Sequence, residues 1–107
     1  MSDLMRAAVY CCAKHGSARS LDTQQARCAQ RVLQEGAETV AMLFDEQATR
    51  PMRCRPGITE LLALLRTERI NLVVVDCPER LTPSVLELRA LGQEVSRAGS
   101  RLIFVKP

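Results

Sequence analysis

Aromatic side chains are scarce in this sequence, and their scarcity restricts what the protein can bind. Among 107 residues there are two phenylalanines, one tyrosine and no tryptophan. Proteins that bind single-stranded nucleic acid commonly stack successive bases on aromatic side chains. A binding platform of that kind is therefore excluded, and the core has to be built from aliphatic side chains.

The sequence also lacks a long hydrophobic run. No apolar stretch approaches the roughly 20 residues that a membrane-spanning helix needs. Residues 1–6 do not show the basic-then-apolar order of a secretory signal. We therefore expect a cytoplasmic protein without a membrane partner.

Paired metal-ligand spacings are absent as well. The five cysteines are an odd number, and no two of them have C-x-x-C spacing. This pattern argues against a disulfide framework or an ordinary zinc module, so free thiols and no cofactor are expected. The length suits one domain, residues 1–107, which needs no cross-links to hold its core. The formal net charge of +3 permits contact with nucleic acid without requiring it.

Apolar runs and helical patterns alternate along the chain. Buried strands are predicted at residues 6–12, 39–44, 70–76 and 101–105, because each is a short apolar run between polar segments. Helices are predicted at residues 21–34 and 57–66, and a third helix begins near residue 82 and closes at Gly99. Strands that alternate with helices specify right-handed crossovers. The fold class is therefore α/β, a mainly parallel four-stranded sheet with helices on both faces.

Helix boundaries follow from capping residues. Ser20 is expected to cap the first helix, with Asp22 in the first turn, where the helix dipole favours a negative charge. Thr82 is expected to cap the third helix, with Pro83 at the tolerated first position. The apolar faces are predicted to be Leu21, Cys28, Ala29, Val32 and Leu33 on the first helix, Ile58, Leu61, Leu62 and Leu65 on the second, and Val85, Leu88 and Val95 on the third.

Four segments carry a resemblance to a known family. An opening strand ends near Tyr10, a Ser-Leu-x-x-Gln segment follows, an Arg-Pro-Gly helix start comes next, and an Arg-Leu pair follows the apolar run 72–75. The chain resembles the catalytic domain of the serine recombinases, the resolvase/invertase family, over nearly its whole length. The resemblance implies the resolvase-like fold and a relation to DNA recombination and mobile elements. The matching residues are Tyr10, Ser20, Leu21, Gln24, Arg55, Pro56, Gly57, Ile58, Arg80 and Leu81.

The sequence departs from the family at the residues that do the chemistry. Family members carry Tyr-x-Arg-Val-Ser-Thr, in which the serine attacks a DNA phosphodiester and arginines stabilise the developing negative charge. Aligned on Tyr10, Cys12 stands at the arginine position and Lys14 at the nucleophile position. In the family's Asp-Arg-Leu-x-Arg motif, Glu79 is a conservative change and Pro83 replaces the second arginine.

Two family arginines are retained, Arg55 and Arg80. With the nucleophile and two arginines lost, the resemblance implies a chain that does not cleave DNA by the family mechanism. Family members also continue into a long dimer helix and a DNA-binding region. Because the sequence ends at Pro107, we expect neither here.

Three functions stay open on the sequence. The first is an inactive interaction or regulatory module, or a remnant, that pairs with itself or with an intact recombinase. The second is an active recombinase or phosphoryl-transfer enzyme, in which Ser17, in a loop one residue longer than the usual spacing, is a relocated nucleophile. The third is a simple phosphate or nucleic-acid binder, although contact with DNA is expected to be weak or absent. The candidate phosphate ligands are Arg50, Arg53, Arg55 and Arg80.

A soft-metal site is the alternative for the remaining polar groups. Cys12, Cys54 and Cys77 fall near the family's catalytic groups, with His15 close by, and thiols with an imidazole suit a soft metal. The three cysteines lie on separate segments without ligand-pair spacing. Drift after loss of catalysis therefore explains them better, and no metal is expected.

Overall fold

The sheet is built around two strands that are buried on both faces. The computed structural model describes residues 4–13, 18–46 and 51–106. Strand β1 (Met5–Cys12) is buried from Ala7 onward, and all four residues of β3 (Leu72–Val75) are buried. Continuous apolar runs of this kind are typical of central strands in a parallel sheet.

Four strands form one sheet in the order β2-β1-β3-β4, with every neighbouring pair parallel. Strand β2 (Ala37–Asp45) and strand β4 (Arg101–Phe104) form its edges. The predicted α/β class and parallel sheet are confirmed. The helices are α1 (Ala18–Gln34), α2 (Pro56–Thr67), the single turn α3 (Pro78–Leu81) and α4 (Val85–Arg97), with a 3-10 turn at Met52–Cys54.

Helices cover both faces, as predicted. Helix α1 packs on one face, and α2 and α4 pack on the other. The chain moves from β1 outward to β2 and then back across β1 to β3. Because parallel crossovers are right-handed, that reversal places the helix before β2 and the helices after it on opposite faces.

Side chains of β1 alternate between the two cores. Tyr10 and Cys12 lie in the core beneath α2 and α4, whereas Val9 and Cys11 lie in the core beneath α1. The two-residue period of a strand produces this division. Consequently the only tyrosine of the chain lies beneath the second and fourth helices.

The first helix begins earlier than the sequence predicted. Helix α1 starts at Ala18, so Ser20 lies inside it and does not cap it, and Asp22 lies beyond its first turn. The Ser20 hydroxyl instead accepts a hydrogen bond from Gln24 Nε2, at 3.1 Å. Leu33, predicted to be on the apolar face, is 75% exposed.

The start of the last helix was also predicted wrongly. The N-cap of α4 is Ser84, whose hydroxyl accepts from the Glu87 amide at 3.2 Å. Thr82 is the C-cap of α3, and Pro83 lies between the two helices. Val85, predicted to be on the apolar face, is 68% exposed, and Leu91 and Val95 form the buried side. The helix α3 itself was not predicted.

The other strand and helix limits coincide with the predictions or differ from them by one or two residues. Within the described parts of the chain, no helix has the length and apolar content needed to cross a membrane.

Candidate functional site

The order of the strands defines where a ligand site lies in this fold. From β1 the chain crosses to β2 on one side of it, and from β2 it returns past β1 to β3 on the other side. The boundary between β1 and β3 is therefore a topological switch point. In open α/β sheets ligands bind outside the carboxyl ends of the strands at such a point. Cys12 ends β1, and Asp76 follows β3. We call the region around these two strand ends the switch-point site.

A buried carboxylate joins three elements at this site. The Tyr10 hydroxyl donates to Asp45 Oδ2 at 2.6 Å, and the Gly57 amide donates to Asp45 Oδ1 at 2.9 Å. Asp45 is the last residue of β2, and Gly57 is in the first turn of α2. The negative carboxylate therefore lies at the positive end of a helix, where it is favoured.

The hydroxyl of Tyr10 remains protonated at neutral pH. Burial raises the pKa of Tyr10 well above its ordinary value, and the hydrogen bond to Asp45 raises it further. The charge of Asp45 acts in the same direction, and a hydrogen bond from Arg55 opposes these effects. Tyr10 therefore serves as a neutral hydrogen-bond donor.

Arg55 is almost completely buried, with 3% of its surface exposed. Its guanidinium donates to the backbone carbonyl of Leu81, the last residue of α3. Arg55 precedes α2 directly, so this contact ties the start of α2 to the loop after β3. The side chain is thus directed into the protein, next to Tyr10.

Gln24 holds the end of the central strand. Its side chain is 99% buried; Nε2 donates to the Cys12 carbonyl at 2.7 Å, and Oε1 accepts from the Cys12 amide at 3.1 Å. The side-chain amide therefore pairs with the backbone of β1 as a neighbouring strand would. This contact explains why a glutamine follows the Ser-Leu pair of α1 at that spacing.

Glu87 connects the 3-10 turn to the start of α4. One carboxylate oxygen accepts from the Met52 amide at 2.8 Å, and the other from the Thr82 hydroxyl at 2.6 Å. The hydrogen bond from Thr82 is the main cause that lowers the pKa of Glu87, helped by the Met52 amide and by the charges of Arg55 and Arg53 against the opposing effect of burial. The carboxylate is therefore ionised, and both of its oxygens accept hydrogen bonds from groups of the protein.

Asp76, at the carboxyl end of β3, is fully buried. Its Oδ2 atom lies 3.3 Å from the Arg27 guanidinium on α1, which is about one-third exposed. The charge of this carboxylate is thereby balanced from the α1 side of the sheet.

The residues predicted to form the site are only partly brought together. Cys12 is at the switch point but is 1% exposed, with its side chain in the core. Arg55 is near Tyr10 and is buried. Glu79 lies exposed on α3, and Pro83 lies exposed in the loop that follows. Arg80 is part of α3, and its side chain is outside the described part.

Several predicted positions lie outside the described residues: Lys14, His15, Ser17 and Arg50. Arg53 is exposed in the 3-10 turn. The assignment of Lys14 to the nucleophile position therefore stays a prediction. Strands β1 and β3 are neighbours in the sheet, so their carboxyl ends lie together.

The cysteines occupy different environments. Cys12 and Cys77 are buried, and Cys54 is exposed. Among the described residues, no group of three potential metal ligands is close enough to hold an ion. The thiols of Cys11 and Cys28 are hydrogen-bonded to each other; this contact and burial raise the pKa of Cys28, which keeps it protonated.

The central role of Asp45 was not predicted from the sequence. The residue contacts Tyr10 across 35 positions of sequence, so no local pattern indicates the pair. One signal was available, because an acidic residue directly after an apolar run lies at the carboxyl end of a strand. The backbone role of Gln24 was likewise not predicted.

The geometry defines the class first: an open parallel α/β domain with a polar site at the β1/β3 switch point. A model of the resolvase N-terminal domain matches residues 8–107 of the sequence. The chain therefore belongs to the resolvase family and is a serine-recombinase-like catalytic domain related to site-specific recombination. A search of curated protein sequences found no match.

Solved structures show the same fold. The C-terminal catalytic domain of ISC1926 TnpA, an IS607-like serine recombinase, is similar with a TM-score of 0.85 and 19% identity, over 95% of this chain and 71% of that one. The N-terminal catalytic domain of TP901-1 integrase has a TM-score of 0.82 and 19% identity, over 94% and 77%. A resolvase family site-specific recombinase from Streptococcus pneumoniae has a TM-score of 0.80 and 14% identity, over 94% and 72%.

Proposed function

We propose that this domain is catalytically inactive and acts as an interaction or regulatory module in site-specific recombination. Its partner is a second copy of itself or an intact recombinase, and its contact with DNA is weak or absent. The proposal rests on the size and burial of the Cys12 side chain. At the position where the family motif has an arginine, this chain has a small apolar side chain that is 1% exposed and packed in the core.

The chemistry of DNA cleavage explains why this substitution matters. Attack on a phosphodiester builds negative charge on the phosphate oxygens, and guanidinium groups stabilise that charge. Cys12 carries no charge, and its amide and carbonyl are both bonded to Gln24. Pro83 supplies no cation at the second altered position.

The retained arginine Arg55 supports the same conclusion. The residue is 3% exposed, and its guanidinium donates to the Leu81 carbonyl. In this arrangement the side chain stabilises the junction of α2 and α3. In the alignment through Tyr10, Lys14 takes the place of the serine, and a protonated amine is a poor nucleophile.

Formation of a covalent protein–DNA adduct tests the proposal. The purified chain and its Lys14→Ser variant are incubated with supercoiled plasmid carrying recombination sites and with nicked oligonucleotide duplexes that trap a covalent complex. We expect neither nicking nor an adduct from either protein. Loss of a single charge-stabilising donor reduces cleavage roughly a hundred- to thousandfold, and restoring serine alone leaves Cys12 and Pro83 in place.

An active serine recombinase on its own site serves as the positive control. An adduct formed by the wild-type chain and abolished by Ser17→Ala would overturn the proposal in favour of a relocated nucleophile. An adduct abolished by Arg80→Ala would overturn it in favour of a working family site. DNA binding without an adduct that weakens steeply with added salt would establish the phosphate binder instead.

A further inference from the structure

Two cysteine thiols meet in the core between α1 and the sheet. Cys11 is on β1 and Cys28 is on α1, and neither residue is exposed to solvent. Their thiols are hydrogen-bonded to each other. All five cysteines of the chain are free thiols in this structure. The function proposed above makes no use of this pair.

The packing of α1 on β1 places the two thiols opposite each other. The Gln24 side chain is hydrogen-bonded to the backbone of Cys12, which fixes one point of contact between the helix and the strand. Because α1 connects two parallel strands, it runs against the direction of β1. One helical turn after Gln24, Cys28 therefore faces the part of β1 that precedes Cys12. The two-residue period of the strand turns Cys11 toward α1 and Cys12 away from it.

The pair is buried, but it lies near a partly exposed side chain. The charges of Asp76 and Arg27 act on the Cys28 thiol. Arg27 pairs with Asp76 at 3.3 Å, and its side chain is 37% exposed. A small oxidant therefore has a short path to the pair. Because the pKa of Cys28 is raised, its thiolate is scarce, and oxidation is expected to be slow.

We propose that Cys11 and Cys28 form a disulfide when the protein is exposed to hydrogen peroxide, and that this bond is a redox-sensitive lock between α1 and β1. The bond closes a loop over residues 12–27. Closing a loop of this kind restricts the unfolded chain, so the oxidised domain is more stable than the reduced one. The proposal does not depend on whether the domain cleaves DNA.

The oxidation takes place in two steps. Peroxide oxidises one thiol to a sulfenic acid: its O–O bond breaks, an S–O bond forms, and one water molecule leaves. The other thiol then attacks that sulfur, so that the S–S bond forms, the S–O bond breaks, and a second water molecule leaves. Together the two thiols lose two electrons and two protons, and peroxide is reduced to water. Dithiothreitol reverses the reaction by thiol–disulfide exchange.

Peptide mapping tests the pair. The experiments use the full 107-residue chain with Cys54→Ser, because the exposed Cys54 thiol would form bonds between molecules. After peroxide treatment, the remaining thiols are alkylated in denaturant. Trypsin then releases Cys11 within residues 7–14 and Cys28 within residues 28–31. We expect these two peptides to be joined after peroxide and separate after dithiothreitol.

Cysteine variants assign the bond. Cys12→Ala is the matched control, because Cys12 is next to Cys11 on β1 and equally buried but belongs to the other core. We expect the joined peptides to form in Cys12→Ala to the same extent, and to be absent in Cys11→Ala and Cys28→Ala. Circular dichroism checks that each variant is folded. The map of the protein that keeps Cys11, Cys12 and Cys28 needs no core substitution, so it tests the pair even where a variant does not fold.

The urea midpoint tests the lock. The oxidised protein is expected to unfold at a urea concentration roughly 1–2 M higher than the reduced protein. Dithiothreitol should return the midpoint to the reduced value. Cys28→Ala should show no rise after peroxide, which separates the effect of the disulfide from other oxidation of the chain.

Each other outcome overturns part or all of the proposal. Separate peptides after peroxide, in folded protein, would show that the two thiols do not form a bond. Joined peptides that persist in Cys11→Ala and disappear in Cys12→Ala would assign the bond to Cys12 instead. An oxidised midpoint equal to or below the reduced one, with the peptides joined, would show that the bond does not stabilise the packing of α1 on β1.

Discussion

Individual residues of this protein are constrained by close contacts around Asp45. A β-carbon placed on Gly57 would lie 2.5 Å from Asp45 Oδ2 and 3.0 Å from the Phe44 carbonyl oxygen. The close approach of the Asp45 carboxylate to the start of α2 therefore leaves no room for a side chain at Gly57. Its backbone needs no left-handed conformation, because its φ angle is not among the positive ones.

A pair of glycine substitutions tests this contact. Gly57→Ala is expected to lower the free energy of unfolding by about 1–3 kcal/mol, because Asp45 has to move away from Tyr10 and from the helix. Gly92→Ala, in the middle of α4 with nothing within 4 Å of the added carbon, is expected to raise it by about 0.5–1 kcal/mol. Urea unfolding monitored by circular dichroism measures both. A Gly57→Ala protein as stable as the wild type would show that Asp45 does not require the close approach.

At the scale of elements, the loops after β2 and β3 are held by polar side chains. Arg55 joins the start of α2 to α3, and Glu87 joins the start of α4 to the 3-10 turn. Gln24, on α1, joins that helix to the end of β1. Each contact satisfies backbone groups that the loops leave unpaired.

The Glu87 contact gives the stability a defined pH dependence. The pKa of Glu87 is lowered in the folded state, so its stabilisation is complete above the unfolded value of about 4.3 and is lost as the pH falls through the folded value. We expect Glu87→Gln to lower the free energy of unfolding at pH 7 by about 1–2 kcal/mol. The difference between wild type and variant should shrink toward pH 3.

Urea titrations of both proteins at pH 7, 5 and 3 measure this difference. Glu60→Gln, an exposed carboxylate on α2, is the control and should match the wild type at each pH within about 0.5 kcal/mol. A difference for Glu87→Gln that grows as the pH falls would contradict the assigned direction.

At the scale of the whole molecule, the two cores share one sheet. Strands β1 and β3 contribute to both the α1 core and the α2/α4 core, so neither core persists without the other. We therefore predict that residues 1–107 unfold as a single domain in one cooperative transition.

The single tyrosine makes this prediction easy to check. Tyr10 is buried in the α2/α4 core, and the chain has no tryptophan, so intrinsic fluorescence reports on that core alone. Far-ultraviolet circular dichroism reports on all helices. The two urea transitions should coincide in midpoint and slope, and a fluorescence transition that precedes loss of helix would show two separate units.

Much of the architecture follows from the sequence alone. The apolar runs of β1 and β3 and the helical spacing of Ile58, Leu61 and Leu65 specify buried strands and an amphipathic helix, since each pattern is local. Parallel pairing follows from their alternation and from the handedness of crossovers. The family motifs could also be recognised in the sequence, because they too are short and local.

Only the tertiary structure decided how the polar residues are used. Ser84 rather than Thr82 caps α4, because the Thr82 hydroxyl is bonded to Glu87 and to the Ser84 amide. Asp45 meets Tyr10, and Arg55 meets Leu81, only after distant segments pack together. Hydrogen bonds of this kind act over about 3 Å between residues far apart in the chain, so no local pattern encodes them. The sequence determined which elements form, and the packing of those elements determined which side chains are buried at the switch point.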